Sequence, residues 1–298
     1  LTMKIKVITS YKPGTWESFA RRGIHSMAEQ FPPEVDIFLY CEEKQPNEVD
    51  SRITCVDLTE AEPNLFAFKT KYKDDPVANG KTTTIPNGVR RSDKLQGLDK
   101  DNDSFLWDAV RFSNKVFCVI NAVRNSQGYD YVLWIDADTF TFRPVPLDFF
   151  SKLLPKETML TYLGRENPTL GDGGVYPECG FVGYNLKHPE TRNFINDWEQ
   201  LYKTGDVFKI LEWHDSYVFW YLSKMYRAEK NIQVNDIGYH KGVKGHHVFI
   251  NSELGLYMDH FKGKRKLHGT SARNDFRVNP TSPVDINKID YWKKVPPS

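Results

Sequence analysis

The 298-residue chain predicts an α/β domain built on a central sheet, and three observations carry that reading. An apolar run, Tyr131-Val132-Leu133-Trp134-Ile135, stops abruptly at Asp136-Ala137-Asp138, as a buried strand does where it leaves the core. Strand-like and helix-like patterns alternate through the first 58 residues, the mark of a sheet covered by helices. With 40% hydrophobic and 14% aromatic residues, the chain is able to bury a substantial core, and a single domain is expected.

Residues 3–9 read as a first buried strand. Pro13-Gly14-Thr15 then hands over to an amphipathic helix from about Trp16 to Gln30, stopped by Pro32-Pro33. Val35 to Tyr40 and Arg52 to Leu58 supply two more short strands. Residues 59–103 are polar and full of Gly, Pro, Asp and Lys, so a long irregular functional loop or lid, or a disordered stretch, is expected there, and either the segment from about Asn64 to Asp103 or the 168–178 loop is expected to be mobile without ligand and to order over it. A helix resumes near Ser104, with Phe105, Ala109, Phe112, Val116 and Ile120 at helical spacing, and leads through Gln127-Gly128 into the aspartate strand. Arg111 and Lys115 share one face of that helix, as a solvated basic stripe or as phosphate contacts. Pro280, Pro283, Pro296 and Pro297 mark residues 271–298 as a C-terminal tail, leaving 1–270 as the catalytic domain.

Composition excludes several partners. Forty basic against 39 acidic residues leave a formal charge of +1, so no nucleic-acid footprint is expected and any anion site must be local. No apolar stretch reaches the ~18 residues of a transmembrane segment, and Leu1 to Val7 carry no secretory apolar region. Cys41, Cys55, Cys118 and Cys179 are far apart, without a Cys-x-x-Cys pair, so a cytoplasmic location is the expectation.

The chemistry centres on Asp136 and Asp138. Side chains two apart on a strand share a side, so both carboxylates can converge where the strand ends. Two hard oxygen ligands suit Mn²⁺ or Mg²⁺ held jointly with phosphate oxygens. Asp99-Lys100-Asp101 and Asp101-Asn102-Asp103 repeat the spacing, but in a polar stretch with no strand behind them.

Three later segments add to this. Leu170 to Asn185 form a glycine-rich loop entering a strand and include Glu178. Trp213-His214-Asp215-Ser216 opens a helix, with Asp215 either an N-cap or a functional carboxylate. Asp259-His260-Phe261-Lys262-Gly263-Lys264-Arg265-Lys266 combines a candidate imidazole ligand with cations suited to a diphosphate.

Together these segments resemble the GT-A class of nucleotide-sugar-dependent glycosyltransferases over roughly residues 3–268. Ile135-Asp136-Ala137-Asp138 looks like the Asp-x-Asp motif of that class, and His260 to Lys266 is similar to the His-x-x-Gly-x-x-Lys motif of glycogenin-like retaining enzymes. The resemblance implies a Rossmann-related mixed central sheet flanked by helices, a divalent cation on Asp138 and His260 with Asp136 contacting the ion or the ribose, a phosphate contact from Lys266, and donor binding by Ala137 and Gly263. It also places the nucleobase at Thr9-Ser10-Tyr11 and the donor sugar at Glu178. The implied partners are a UDP-sugar donor and a glycan or other hydroxyl acceptor. Trp213-His214-Asp215 is similar to the Trp-His-Asp-Glu segment of blood-group-type retaining transferases, but Ser216 replaces the glutamate proposed there as nucleophile, so Asp215 is the carboxylate expected at the reaction centre.

Other chemistries use parts of this pattern. Haloacid-dehalogenase-type phosphatases also follow apolar residues with Asp-x-Asp, but want Thr or Val where Phe140 stands and place the motif near the domain start. A nucleotidyltransferase needs a glycine-rich basic loop after its first strand, and Thr9 to Gly14 supply one glycine. A non-catalytic sugar-binding module would use the many Tyr and Trp rings for stacking.

Overall fold

Period-two alternation sorts the strand side chains onto two cores, one on each face of a mixed sheet. The computed structural model describes residues 3–81, 86, 104–165, 176–238, 247–276 and 282–297. Its strands are β1 (Ile5–Ser10), β2 (Val35–Cys41), β3 (Ile53–Asp57), β4 (Tyr131–Ile135), β5 (Thr139–Thr141), β6 (Leu160–Leu163), β7 (Glu178–Asn185), β8 (Val234–Asp236) and β9 (Met258–His260). The helices are α1 (Arg21–Gln30), α2 (Leu58–Ala61), α3 (Pro63–Tyr72), α4 (Ala109–Arg124), α5 (Leu147–Leu153), α6 (Thr191–Thr204), α7 (Asp215–Lys230), α8 (Val248–Asn251), α9 (Arg265–His268) and α10 (Asp290–Lys294).

The seven-stranded sheet runs β3-β2-β1-β4-β7-β6-β8. From β3 to β4 the neighbours are parallel, and β7 is antiparallel to both β4 and β6. This is the mixed, helix-flanked α/β sheet that the resemblance implies. Ile8, Val132 and Trp134 face a core shared with Phe68, Val116, Phe194 and Phe219. Val7, Leu133 and Ile135 face the other, with Met27, Phe150, Phe249 and Trp292. Trp292 belongs to the proline-rich C-terminal stretch, yet it is fully buried and its Nε1 donates to the Gly255 carbonyl at 2.7 Å. Truncating such a ring to alanine typically costs about 3–5 kcal/mol, so these residues help to hold the core.

Two sequence expectations change. The stretch from residue 59 is not irregular throughout, because α2 and α3 occupy its start. Asp57 caps α2 by accepting from Thr59 N at 2.8 Å and Glu60 N at 3.2 Å, and Pro63 sits at the first position of α3, where its missing N–H costs nothing. Leu65 and Phe68, three apart, then bury one side of α3. The helix read from Trp16 starts with a π-helical turn, Trp16–Ala20, before α1. Residues 82–85, 87–103 and 166–175, which include the spare Asp-x-Asp triplets and most of the glycine-rich loop, lie outside the described residues. Among the described residues no helix is long and apolar enough to cross a membrane.

Candidate active site

The carboxylates converge by a turn and not by continuing a strand. β4 ends at Ile135, Asp136 N bonds back to the Gly180 carbonyl at 3.0 Å, and Thr139 N closes on the Asp136 carbonyl at 3.1 Å. The chain then enters β5, which pairs with β9 in a separate two-stranded ladder with Thr139 opposite His260. Phe261 N donates to the Asp138 carbonyl at 2.9 Å, so the ladder fixes His260 beside the aspartates from 122 residues away. His260 Nε2 lies 3.1 Å from Asp138 Oδ1 and 3.5 Å from Asp136 Oδ2.

Asp136, Asp138 and His260 each offer one ligand atom, and these atoms lie within 4.8 Å of one another. Two carboxylates and one imidazole are a fitting donor set for a divalent cation. Ammonium groups already neutralise both carboxylates: Lys266 Nζ stands 2.8 Å from Asp138 Oδ2, and Lys115 Nζ 3.1 Å from Asp136 Oδ1. Trp134, sharing a face with Asp136, adds an indole N–H at 2.6 Å. Burial alone would raise the carboxyl pKa values, but Lys115 and His260 hold Asp136, and His260 and Lys266 hold Asp138, below the usual range. Burial opposes the charge on His260 too, yet Asp138, Asp136 and Glu178 drive its pKa well up.

Lys115, read from the sequence as part of a solvated basic stripe or as a phosphate contact, lies between two carboxylates. Its ammonium lies 2.8 Å from Asp215 Oδ2 and 3.1 Å from Asp136 Oδ1, and donates to the Cys179 carbonyl at 2.6 Å. These three partners use all its donors. Burial disfavours the charge, but the two aspartates more than restore it and raise its pKa. Arg111, on the same helix, is exposed beside the Phe112 ring. Asp215 is the first residue of α7, while His214 holds the N-cap position and no side chain caps the helix. The capping alternative for Asp215 therefore does not hold: its carboxylate is buried against Lys115, whose ammonium also meets Asp136.

Glu178, expected at the donor sugar, lies among an imidazole and two cations. It is 2% exposed, with Oε1 at 2.8 Å from His260 Nδ1 and Oε2 at 2.6 Å from Arg165 and 3.4 Å from Lys262. Burial raises its pKa, but these cations pull it well below the ordinary value. Of the other expected residues, Ala137 is buried in the turn, Gly263 turns the backbone at φ +61° ahead of α9, and Lys266 reaches Asp138. Thr9 and Ser10 end β1 opposite Leu39 and Tyr40 of β2 and Tyr11 follows them, with Thr9 Oγ1 buried without a hydrogen-bond partner among the described residues and Tyr11 packed 5.3 Å from Trp16. Sequence reasoning missed Arg165, and it named Trp134 only as an apolar strand residue and Lys262 only within the cation cluster. A buried acid such as Glu178 demands cations nearby, but the pattern does not say which.

No protein-family model matches the chain, and no curated protein matches it. In structure it is similar to the apo form of mouse xyloside xylosyltransferase 1, with 12% identity, 79% of this chain and 85% of that chain covered, and a TM-score of 0.42. It is also similar to a glycosyltransferase involved in the glycosylation of the major capsid of PBCV-1, with 11% identity, 89% and 98% coverage, and a TM-score of 0.44. At such distance the functional reading rests on the residues of the chain itself.

Proposed function

We propose that the protein is a metal-dependent glycosyltransferase that moves a sugar from a nucleotide-diphosphate donor, a UDP-sugar, to a hydroxyl of a glycan or other acceptor. The observation that carries the reading is the convergence of Asp136, Asp138 and His260 within 4.8 Å at the carboxyl end of a central strand, where ligands collect in open α/β sheets. Mn²⁺ or Mg²⁺ held there would supply positive charge against the diphosphate leaving group. Lys266, now on Asp138, is free to turn to a phosphate oxygen once a cation neutralises that carboxylate. The end of β1 supports a nucleobase site, because Thr9 leaves a buried hydroxyl unsatisfied there.

Cleaving the bond from the anomeric carbon to the diphosphate leaves an oxocarbenium-like sugar. Asp215 is the carboxylate for that end of the reaction. It either accepts the proton of the acceptor hydroxyl, inverting the anomeric centre, or stabilises the cation, allowing retention. Lys115 holds this carboxylate in register with Asp136, coupling the position of the sugar end to that of the diphosphate end. The test is incubation with a panel of nucleotide-sugars and Mn²⁺. Slow, metal-dependent hydrolysis of one donor is expected, and the anomer formed with an acceptor reports which role Asp215 plays. Phosphate release from simple monoesters, with every nucleotide-sugar left intact, would overturn the reading.

A further inference from the structure

We infer that Glu178 is a positioning residue for His260: it holds Nδ1 so that Nε2 is presented to a divalent cation shared with Asp136 and Asp138. The inference rests on the metal reading above and assigns Glu178 a role other than touching the donor sugar. Glu178 and Gly180 are two apart at the start of β7 and share a side of the strand. The glycine leaves a slot that the imidazole fills. A Cβ at position 180 would stand 2.8 Å from His260 Cε1 and 3.1 Å from Nδ1, closer than a side chain tolerates. The ring is thus gripped end to end, with Glu178 Oε1 2.8 Å from Nδ1 and the aspartates at Nε2. Phe249 stands 5.0 Å from it, and His247 Nε2 bonds to the His260 carbonyl at 2.7 Å, fixing the backbone behind the ring.

Arg165 and Lys262, both on Oε2, decide which chemistry residue 178 can offer. A carboxylate can satisfy them with one oxygen and, with the other at 2.8 Å from Nδ1, take up the Nδ1 proton when Nε2 turns to a cation. That leaves the Nε2 lone pair for the cation, in the arrangement by which a carboxylate orients a metal-bound imidazole. An amide cannot do both jobs in this way. In Glu178→Gln the carbonyl oxygen turns to the cations and the NH₂ faces Nδ1, which then keeps its lone pair and leaves the proton on Nε2, where it blocks the metal. A role for Glu178 as counter-ion to Arg165 and Lys262 alone would affect folding without this specific loss.

The test titrates MnCl₂ alone, without nucleotide, into the full chain by calorimetry, and records the electron spin-echo modulation from directly bound ¹⁴N. The wild type, Glu178→Gln and Gly180→Ala are compared with Glu199→Gln, which disturbs an ion pair elsewhere in the fold. The expectation is a loss of about 10–100-fold in Mn²⁺ affinity for Glu178→Gln and Gly180→Ala, the usual range for a lost orienting partner, with the ¹⁴N modulation gone from both. Glu199→Gln should keep affinity and modulation even if its thermal midpoint falls as far. Mn²⁺ binding with ¹⁴N modulation in Glu178→Gln, at an affinity within about threefold of the wild type, would overturn this inference alone. A wild type that does not bind Mn²⁺ would overturn the metal reading, and the inference with it.

Discussion

Asp259 and His260 are neighbours on β9, yet they lie in opposite kinds of polar surroundings. The Asp259 carboxylate, 0% exposed, accepts from Ser271 N at 2.9 Å, Ser271 Oγ at 2.6 Å and the Tyr291 hydroxyl at 2.8 Å. All three donors are neutral. They tie β9 to the C-terminal segment but leave the charge unneutralised, and burial lifts the Asp259 carboxyl above its ordinary range. His260 instead faces three carboxylates, each leaning on a cation: Asp136 on Lys115, Asp138 on Lys266 and Glu178 on Arg165. A closed set of neutral hydrogen bonds joins elements of a fold. A set of charges with exchangeable partners is a place where a ligand ion can enter and let the cations move.

The most severe break in this contrast is Asp138→Ala, which removes one of two carboxylates. Mn²⁺-dependent UDP affinity should fall by about two orders of magnitude or more, measured by calorimetric titration. Asp215→Asn preserves shape, so turnover should fall by roughly two orders of magnitude while UDP affinity stays within about threefold, as steady-state kinetics and titration would read. Turnover within about threefold of the parent would leave Asp215 without a chemical role.

Asp259→Ala tests the other side of the comparison. It leaves buried donors on Ser271 and Tyr291 unpaired, which should cost about 2–4 kcal/mol in denaturant unfolding, while metal-dependent UDP affinity changes by less than about threefold. The smallest effect belongs to an ion pair away from the site. Glu199 accepts from Arg124 Nη1 at 3.0 Å and Nη2 at 2.8 Å and from Asn64 at 3.1 Å, and the Arg124 hydrogen bond is the main reason its pKa lies below the ordinary 4.5. A carboxyl lowered on folding adds stability that is complete above its unfolded value and fades as pH falls through the folded one. Glu199→Gln should therefore cost about 1 kcal/mol at pH 7, and the difference from the parent should shrink on acidification below 4.5.

How much of this was legible follows from the range of each interaction. β1, α1 and β4 are local patterns of apolar period, and they could be read residue by residue. That Asp136, Asp138 and His260 would come together was legible because few residue types suit a divalent cation. The helices at 58–72 were not, although Asp57 and Pro63 are standard helix-start residues, because the charged and Pro-rich composition around them outweighed the apolar spacing of Leu58, Leu65 and Phe68. Lys115 and Glu178 were found as residues, but the partners they have here were not read. Their partners come from the turn after β4, from β7, α7 and β9, and from the loops after β6 and β9, and nothing local in the sequence records which of several cations meets which carboxylate.

The central claim is that one divalent cation joins Asp136, Asp138 and His260 to a nucleotide diphosphate. A crystal grown with UDP and MnCl₂, with data collected for anomalous scattering from manganese, tests it most directly. The account predicts one anomalous peak within about 2.5 Å of an oxygen from each aspartate and of His260 Nε2, with diphosphate oxygens completing its coordination. UDP bound in the crystal with no peak at that position, or with the peak ligated elsewhere, would contradict it.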